Sequence, residues 1–112
     1  MKIYKLKNFT RGWLVGDFKP SVIRTKKFEA AVMFYKKGRR DPAHKHLRAE
    51  EITVIISGKY KMNNKILKPG DIVLLKRGEA AEFYCVNAGQ TVVIKSPSVI
   101  GDKYLILNGQ TK

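Results

Sequence analysis

The feature that most restricts this chain is its punctuation. Runs rich in Val, Ile, Phe and Tyr recur at short intervals, each closed by Gly, Pro, Asn or Asp. Such residues suit the pleated, half-buried surface of a sheet, so the spacing predicts many brief strands. They are expected at residues 3–6, 13–18, 21–25, 28–35, 51–57, 60–62, 65–67, 71–75, 80–86, 91–96 and 104–107. Asn63-Asn64 tolerates the positive φ of a tight hairpin. Lys68-Pro69-Gly70-Asp71 has the Pro and Gly that a type II turn wants, and Asn87-Ala88-Gly89 reads as another reversal. No window of ten or more residues has capped 3.6-residue periodicity, so helices should be short or absent. The segment 96–104 reads as a structured loop. The class is all-β: a sandwich or an antiparallel barrel of jelly-roll, OB or Ig-like type. Composition does not choose among them.

A chain of 112 residues admits one compact domain, here residues 1–112, and excludes a TIM barrel or a two-domain enzyme. With 44% apolar and 29% charged residues it is globular and not disordered. The lone Cys85 cannot form an internal disulfide, which points to a reducing compartment. The opening MKIYKLKNFTRGW has no apolar run of the kind a secretory leader needs. No stretch approaches the ~18 apolar residues of a membrane span. A cytoplasmic protein with no membrane partner is expected. Its 23 Lys and Arg against nine Asp and Glu give a net +14, a surface that attracts anions. The bases are scattered, however, with one dense group at Lys36-Lys37-Gly38-Arg39-Arg40. Specific nucleic-acid binding is therefore not expected.

Chemistry concentrates in the middle of the chain. His44 and His46 are the only histidines, and in extended backbone a spacing of two puts both imidazoles on one face. Glu51 follows at the start of an apolar run, sharing a strand face with Thr53. Two imidazoles and a carboxylate can hold a divalent ion and leave coordination positions open. A hydrogen-bonded histidine cluster with no ligand is the plainer alternative. The spacing of the flanking glycines weighs against it.

This stretch resembles the first cupin motif: Gly, five residues, His-x-His, four residues, Glu, six residues, Gly. Here it is Gly38-RRDPA-His44-Lys-His46-LRAE-Glu51-ITVIIS-Gly58, with each fixed position met. The second motif is matched in spacing by Gly70-DIVLL-Lys76-Arg-Gly78-EA-Ala81-EFY-Cys85. It departs from the family's pattern at Lys76 for Pro, Ala81 for His and Cys85 for Asn. The resemblance covers about residues 28–96. It implies a cupin-like double-stranded β-helix with His44, His46 and Glu51 at the barrel mouth.

The resemblance also implies a metal such as Fe, Mn, Zn or Ni, but on an incomplete ligand set, because Ala81 stands where the third His belongs. Three outcomes stay open. The ion rests on His44, His46 and Glu51; or Glu82 swings in through a bulge; or no metal is bound. Cys85 and Phe83 should face the lumen with Ala81, the thiol as ligand or as pocket filler. The basic balance points to a small anionic ligand, a sugar phosphate for example, with Arg39, Arg40, Arg48, Lys76 and Arg77 as candidate contacts. No catalytic residue can be assigned: there is no Ser-His-Asp set, P-loop or CxxC. A metal-free sensory cupin and an OB-like nucleic-acid barrel are the rival readings. A homodimer paired through sheet edges is implied by the family.

Overall fold

A computed structural model describes residues 1–106. Among the described residues ten strands form two five-stranded antiparallel sheets. They are β1 (Trp13–Val15), β2 (Glu29–Tyr35), β3 (Arg40–Lys45), β4 (Glu50–Ile55) and β5 (Lys59–Met62), then β6 (Lys65–Leu67), β7 (Ile72–Leu75), β8 (Ala80–Asn87), β9 (Gly89–Ser96) and β10 (Tyr104–Leu105). One sheet has the order β1-β2-β9-β4-β7, the other β10-β3-β8-β5-β6. Consecutive strands thus alternate between sheets at several points and wind both around one lumen. An OB-like barrel is excluded by this order.

The turn chemistry does what the sequence asks. Asn63 takes φ 47 in the two-residue link between β5 and β6. The Asp71 amide donates to the Lys68 carbonyl across Pro69-Gly70, with Gly70 at φ 93. The four motif glycines, Gly38, Gly58, Gly70 and Gly78, all have φ between 82 and 93. At three of them a Cβ would meet nothing within 4 Å, so backbone conformation rather than crowding requires glycine.

Three expectations fail. Residues 3–6 form no strand; a 3₁₀ turn spans Leu6–Asn8, and Ile3 and Tyr4 are exposed with no sheet to join. Residues 21–25 contribute only an isolated bridge, Gly16 to Arg24. β3 is present although its composition argues against a strand. Its Pro42 is accommodated because the pairing with β8 is irregular between Asp41 and His44, so no ladder donor is missed there. Leu107, the last residue of the expected final strand, lies outside the described residues.

One end of the lumen is plugged. Tyr35, Tyr60 and Phe83 pack ring against ring with centroids 5.0–5.7 Å apart. Ile55, Met62, Leu67 and Cys85 complete this buried cluster. Tyr84 and Phe34, one residue out of phase, point outward. Above the plug the lumen is open.

Candidate metal and ligand site

The open part of the lumen is a cavity of about 470 Å³ lined by both sheets. His44 comes from β3 and lies directly opposite Ala81 on β8. His46 follows just past the end of β3 and is buried. Their rings are 5.2 Å apart and nearly perpendicular. Glu51 and Thr53 enter from β4 on the other sheet, and Ala81 and Phe83 line the same cavity. The spacing of two in each strand brings these residues to one chamber.

Backbone carbonyls fix both imidazoles in the same tautomer. His44 Nδ1 lies 2.9 Å from the Pro42 carbonyl and His46 Nδ1 lies 2.5 Å from the Asp102 carbonyl. A carbonyl only accepts, so each Nδ1 donates and each neutral ring keeps its lone pair on Nε2. His46 Nε2 is buried and makes no hydrogen bond, and Glu51 Oε1 faces it at 3.7 Å. That carboxylate draws the His46 pKa above its ordinary value, against the effect of burial. The His44 pKa is pushed down, chiefly by burial.

Asp102 is the residue that sequence reasoning missed. Its carboxylate accepts the backbone N–H groups of Leu47, Arg48 and Ala49 at 2.9–3.2 Å. Burial opposes its ionisation, but these three donors outweigh burial and hold its pKa below the ordinary value. The same residue thus ties down the loop after His46 and orients the His46 ring. Only its place in a Gly-Asp loop hinted at a role; its separation from His46 gives no spacing signal.

Lys95 was missed as well. On β9 it lies between Glu29 of β2 and Glu51 of β4, so three charged residues form one row across the sheet, facing the lumen. Its Nζ is 3.2 Å from Glu29 Oε1 and 4.9 Å from the centre of the Trp13 ring.

Several expected contacts lie elsewhere. Glu82 does not swing in: it faces outward from β8 and pairs with Arg40 at 3.0 Å, because no bulge in β8 reverses its side chain. Cys85 shares the face of Ala81 but is sealed in the plug, where burial raises its pKa and keeps the thiol protonated. It does not reach the cavity. Of the five basic candidates only Arg39 lines the chamber, lying over the Tyr35 ring at 4.7 Å. Arg77 instead donates from Nε to the Arg48 carbonyl, while the Lys76 amide donates to Glu79, tightening that turn. Arg40, Arg48 and Lys76 are exposed and outside the cavity lining.

Among the described residues no three His, Cys, Asp or Glu side chains already close around a common point. The donor chemistry nonetheless fits an ion. Two ligands about 2.1 Å from one metal stand at most about 4.2 Å apart, so the 3.7 Å between His46 Nε2 and Glu51 Oε1 leaves that position open. A free Nε2 with Nδ1–H bound to a carbonyl is also how ligating histidines are held.

No family model and no curated protein matches the sequence. Solved structures do. A conserved protein with a double-stranded β-helix domain from Klebsiella pneumoniae is similar at TM-score 0.69 and 20% identity, over 93% of this chain and 90% of that one. An RmlC-like cupin from Shewanella frigidimarina gives 0.63 and 21%, over 70% and 72%. The DMSP lyase DddQ from Ruegeria pomeroyi gives 0.69 and 22%, over 83% of this chain but 49% of its own. The chain shares the double-stranded β-helix fold of these proteins. At these identities the likeness fixes the architecture and carries no activity.

Among the described residues no helix is long and apolar enough to cross a membrane.

Proposed function

We propose that this chain is a small-molecule-binding cupin whose mouth holds a divalent metal ion on His44, His46 and Glu51, with an anionic ligand beside it. The observation that carries the reading is His46 Nε2: buried, without a hydrogen-bond partner, and aimed toward a carboxylate. A buried lone pair with no donor from the protein is costly unless something positive occupies the space beside it. When bound, the ion supplies a Lewis acid for an oxygen-bearing ligand.

The chain's own residues do the rest. Asp102 and Pro42 hold the imidazoles in the ligating tautomer. Ala81 leaves the third imidazole position vacant, which gives a ligand or water room at the ion. Arg39 and Lys95 place positive charge on the wall, and Tyr35, Phe83 and Met33 supply an apolar floor. Wall cations in a confined, low-dielectric chamber favour an anionic ligand.

Elemental analysis of untagged protein tests this. At most about one divalent ion per chain is expected, lost in His46→Ala and in His44→Ala while the barrel stays folded. Unchanged metal content in both variants overturns the site. A metal-free binding module is the second reading, favoured by the absence of an imidazole at Ala81. In that case His46 carries a proton and pairs with Glu51. Metal-free protein that still binds its ligand would establish it.

A further inference from the structure

The sequence scatters its basic residues, but the fold gathers several of them on one outer surface. Arg40, Tyr84, Lys61 and Ile66 form an outward row across β3, β8, β5 and β6. Lys59 shares the outward face of β5 with Lys61, as the alternating burial of that strand shows. Further along, a second outward row places Tyr104 of β10 beside Lys45 of β3 and Ala80 of β8. Both tyrosines are open to solvent, Tyr84 at 40% and Tyr104 at 44%. Within the strands of this sheet Glu82 is the one outward acid, since Asp41 faces the lumen. A groove of about 280 Å³ follows the first row, with Arg40, Lys61, Asn64, Tyr84 and Val86 in its lining. The outer rows of the other sheet, Ala30-Ile94-Ile52-Leu74 and Val32-Val92-Val54-Ile72, hold no charge.

We propose that the outer face of the sheet β10-β3-β8-β5-β6 binds single-stranded nucleic acid without sequence preference. Bases stack on Tyr84 and Tyr104, and phosphates rest against Arg40, Lys45, Lys59 and Lys61. Strands about 4.8 Å apart put Arg40 and Lys61 about 10 Å apart with Tyr84 midway. One stacked base is thus bracketed by a cation for the phosphate on either side. Four residues along β8 cover about 14 Å, so Tyr104 offers a second stacking step farther down the same face. Every base has a π-face, and stacking of this kind tolerates any sequence. A duplex hides its base faces and would meet only the cations. A lipid surface would want aliphatics standing beyond the bases, whereas the middle of this face is a groove beside a tyrosine. Glu82 holds Arg40 at 3.0 Å, but both side chains are exposed and such pairs are weak. A phosphate can take the place of that carboxylate. The surface lies outside the lumen, so the proposal does not rest on the metal site.

Fluorescence anisotropy of the full chain with a labelled twelve-residue oligothymidylate tests this. A dissociation constant of about 10 µM is expected at about 50 mM salt, weakening steeply as salt rises. Tyr84→Ala should weaken binding at least about fivefold. An abasic strand of equal length and charge should bind wild type as weakly as that variant binds oligothymidylate. Lys61→Ala should lower the slope of log affinity against log salt by about 0.7, the share of one phosphate contact. Glu82→Gln should tighten binding about threefold, because it frees Arg40 and removes a repelling charge. Lys26→Ala removes the same charge from an exposed position on the segment leading into β2, and should change little. These side chains are exposed or at the groove, so each variant can fold; unchanged circular dichroism will confirm it. No binding up to about 100 µM, the weak end of non-specific association, overturns the proposal. So does equal weakening by Lys26→Ala, or an abasic strand bound as tightly as oligothymidylate. Phosphatidylglycerol vesicles that bind a chain blind to oligothymidylate would assign the face to lipid, and overturn it too.

Discussion

The two sheets share a lumen but distribute their side chains in opposite ways. In the β10-β3-β8-β5-β6 sheet, apolar residues and the histidines face in. An outward row of Arg40, Tyr84, Lys61 and Ile66 meets solvent. In the other sheet the inward row begins with Glu29, Lys95 and Glu51, and the outward rows are aliphatic. The difference shows that alternation alone does not say which face is the core. In the first sheet burial follows the lumen; in the second the inner face carries one charged row beside buried Ala31, Val93 and Ile55, and the outer face is aliphatic as well.

The largest test of this division concerns the site that both sheets build. Removing either imidazole takes away a donor that the opposite sheet cannot replace. His46→Ala should abolish metal retention, and Glu51→Gln should weaken it while leaving both rings oriented. Metal content after dialysis against a chelator reads both. Retention in His46→Ala would mean that the charged row, not the histidines, holds the ion.

A second test sharpens the comparison energetically. Asp102→Ala leaves the amides of Leu47, Arg48 and Ala49 unpaired, with an expected loss of about 1–3 kcal/mol in urea unfolding. Lys95→Met on the other sheet removes a charge whose partner, Glu29, keeps a hydrogen bond from Ser98. It should cost less. The reverse order would show that the charged row, not the Asp102 clasp, stabilises the mouth.

A third, smaller effect tests the register. Ala81 faces the cavity opposite His44, so Ala81→His should tighten metal binding at least tenfold, or about 1.4 kcal/mol. Glu82→His, facing outward beside Arg40, should change nothing. Calorimetric titration with zinc measures both, and a gain at Glu82 alone would shift the register by one.

The smallest effect is alkaline. Burial raises the Tyr35 pKa, and the Asp41 carboxylate that accepts its hydroxyl at 3.1 Å adds to the rise. A folded pKa above the unfolded value gives stability that is complete below about pH 10 and is lost as pH climbs from there. Tyr35→Phe should therefore show a shallower decline in stability above pH 10 than wild type. Parallel declines would place the alkaline sensitivity on other groups.

Much of this was legible in the sequence, for reasons that differ by region. Hairpin residues such as Asn63 and Gly70 act locally, so their neighbours suffice to read them. The histidines and Glu51 were legible through spacing within single strands. β3 was hidden because Pro42 suppresses a strand reading and only the irregular pairing with β8 makes it tolerable. Asp102 and Lys95 were hidden because their partners are distant in the chain and only the winding of the two sheets brings them near. The basic residues misled most. Charge draws attention by number, yet Arg40 and Arg77 are engaged in local contacts outside the cavity.

The clasp formed by Asp102 also sets an order of events during synthesis. His46 leaves the ribosome 56 residues before the carbonyl that will orient it. Until that last loop emerges, the imidazole is free to adopt either tautomer and the segment after it has no anchor. A nascent chain ending before Asp102 can hold most of its hairpins but not a finished mouth. Completion of the site is thereby reserved for a chain that already includes Asp102.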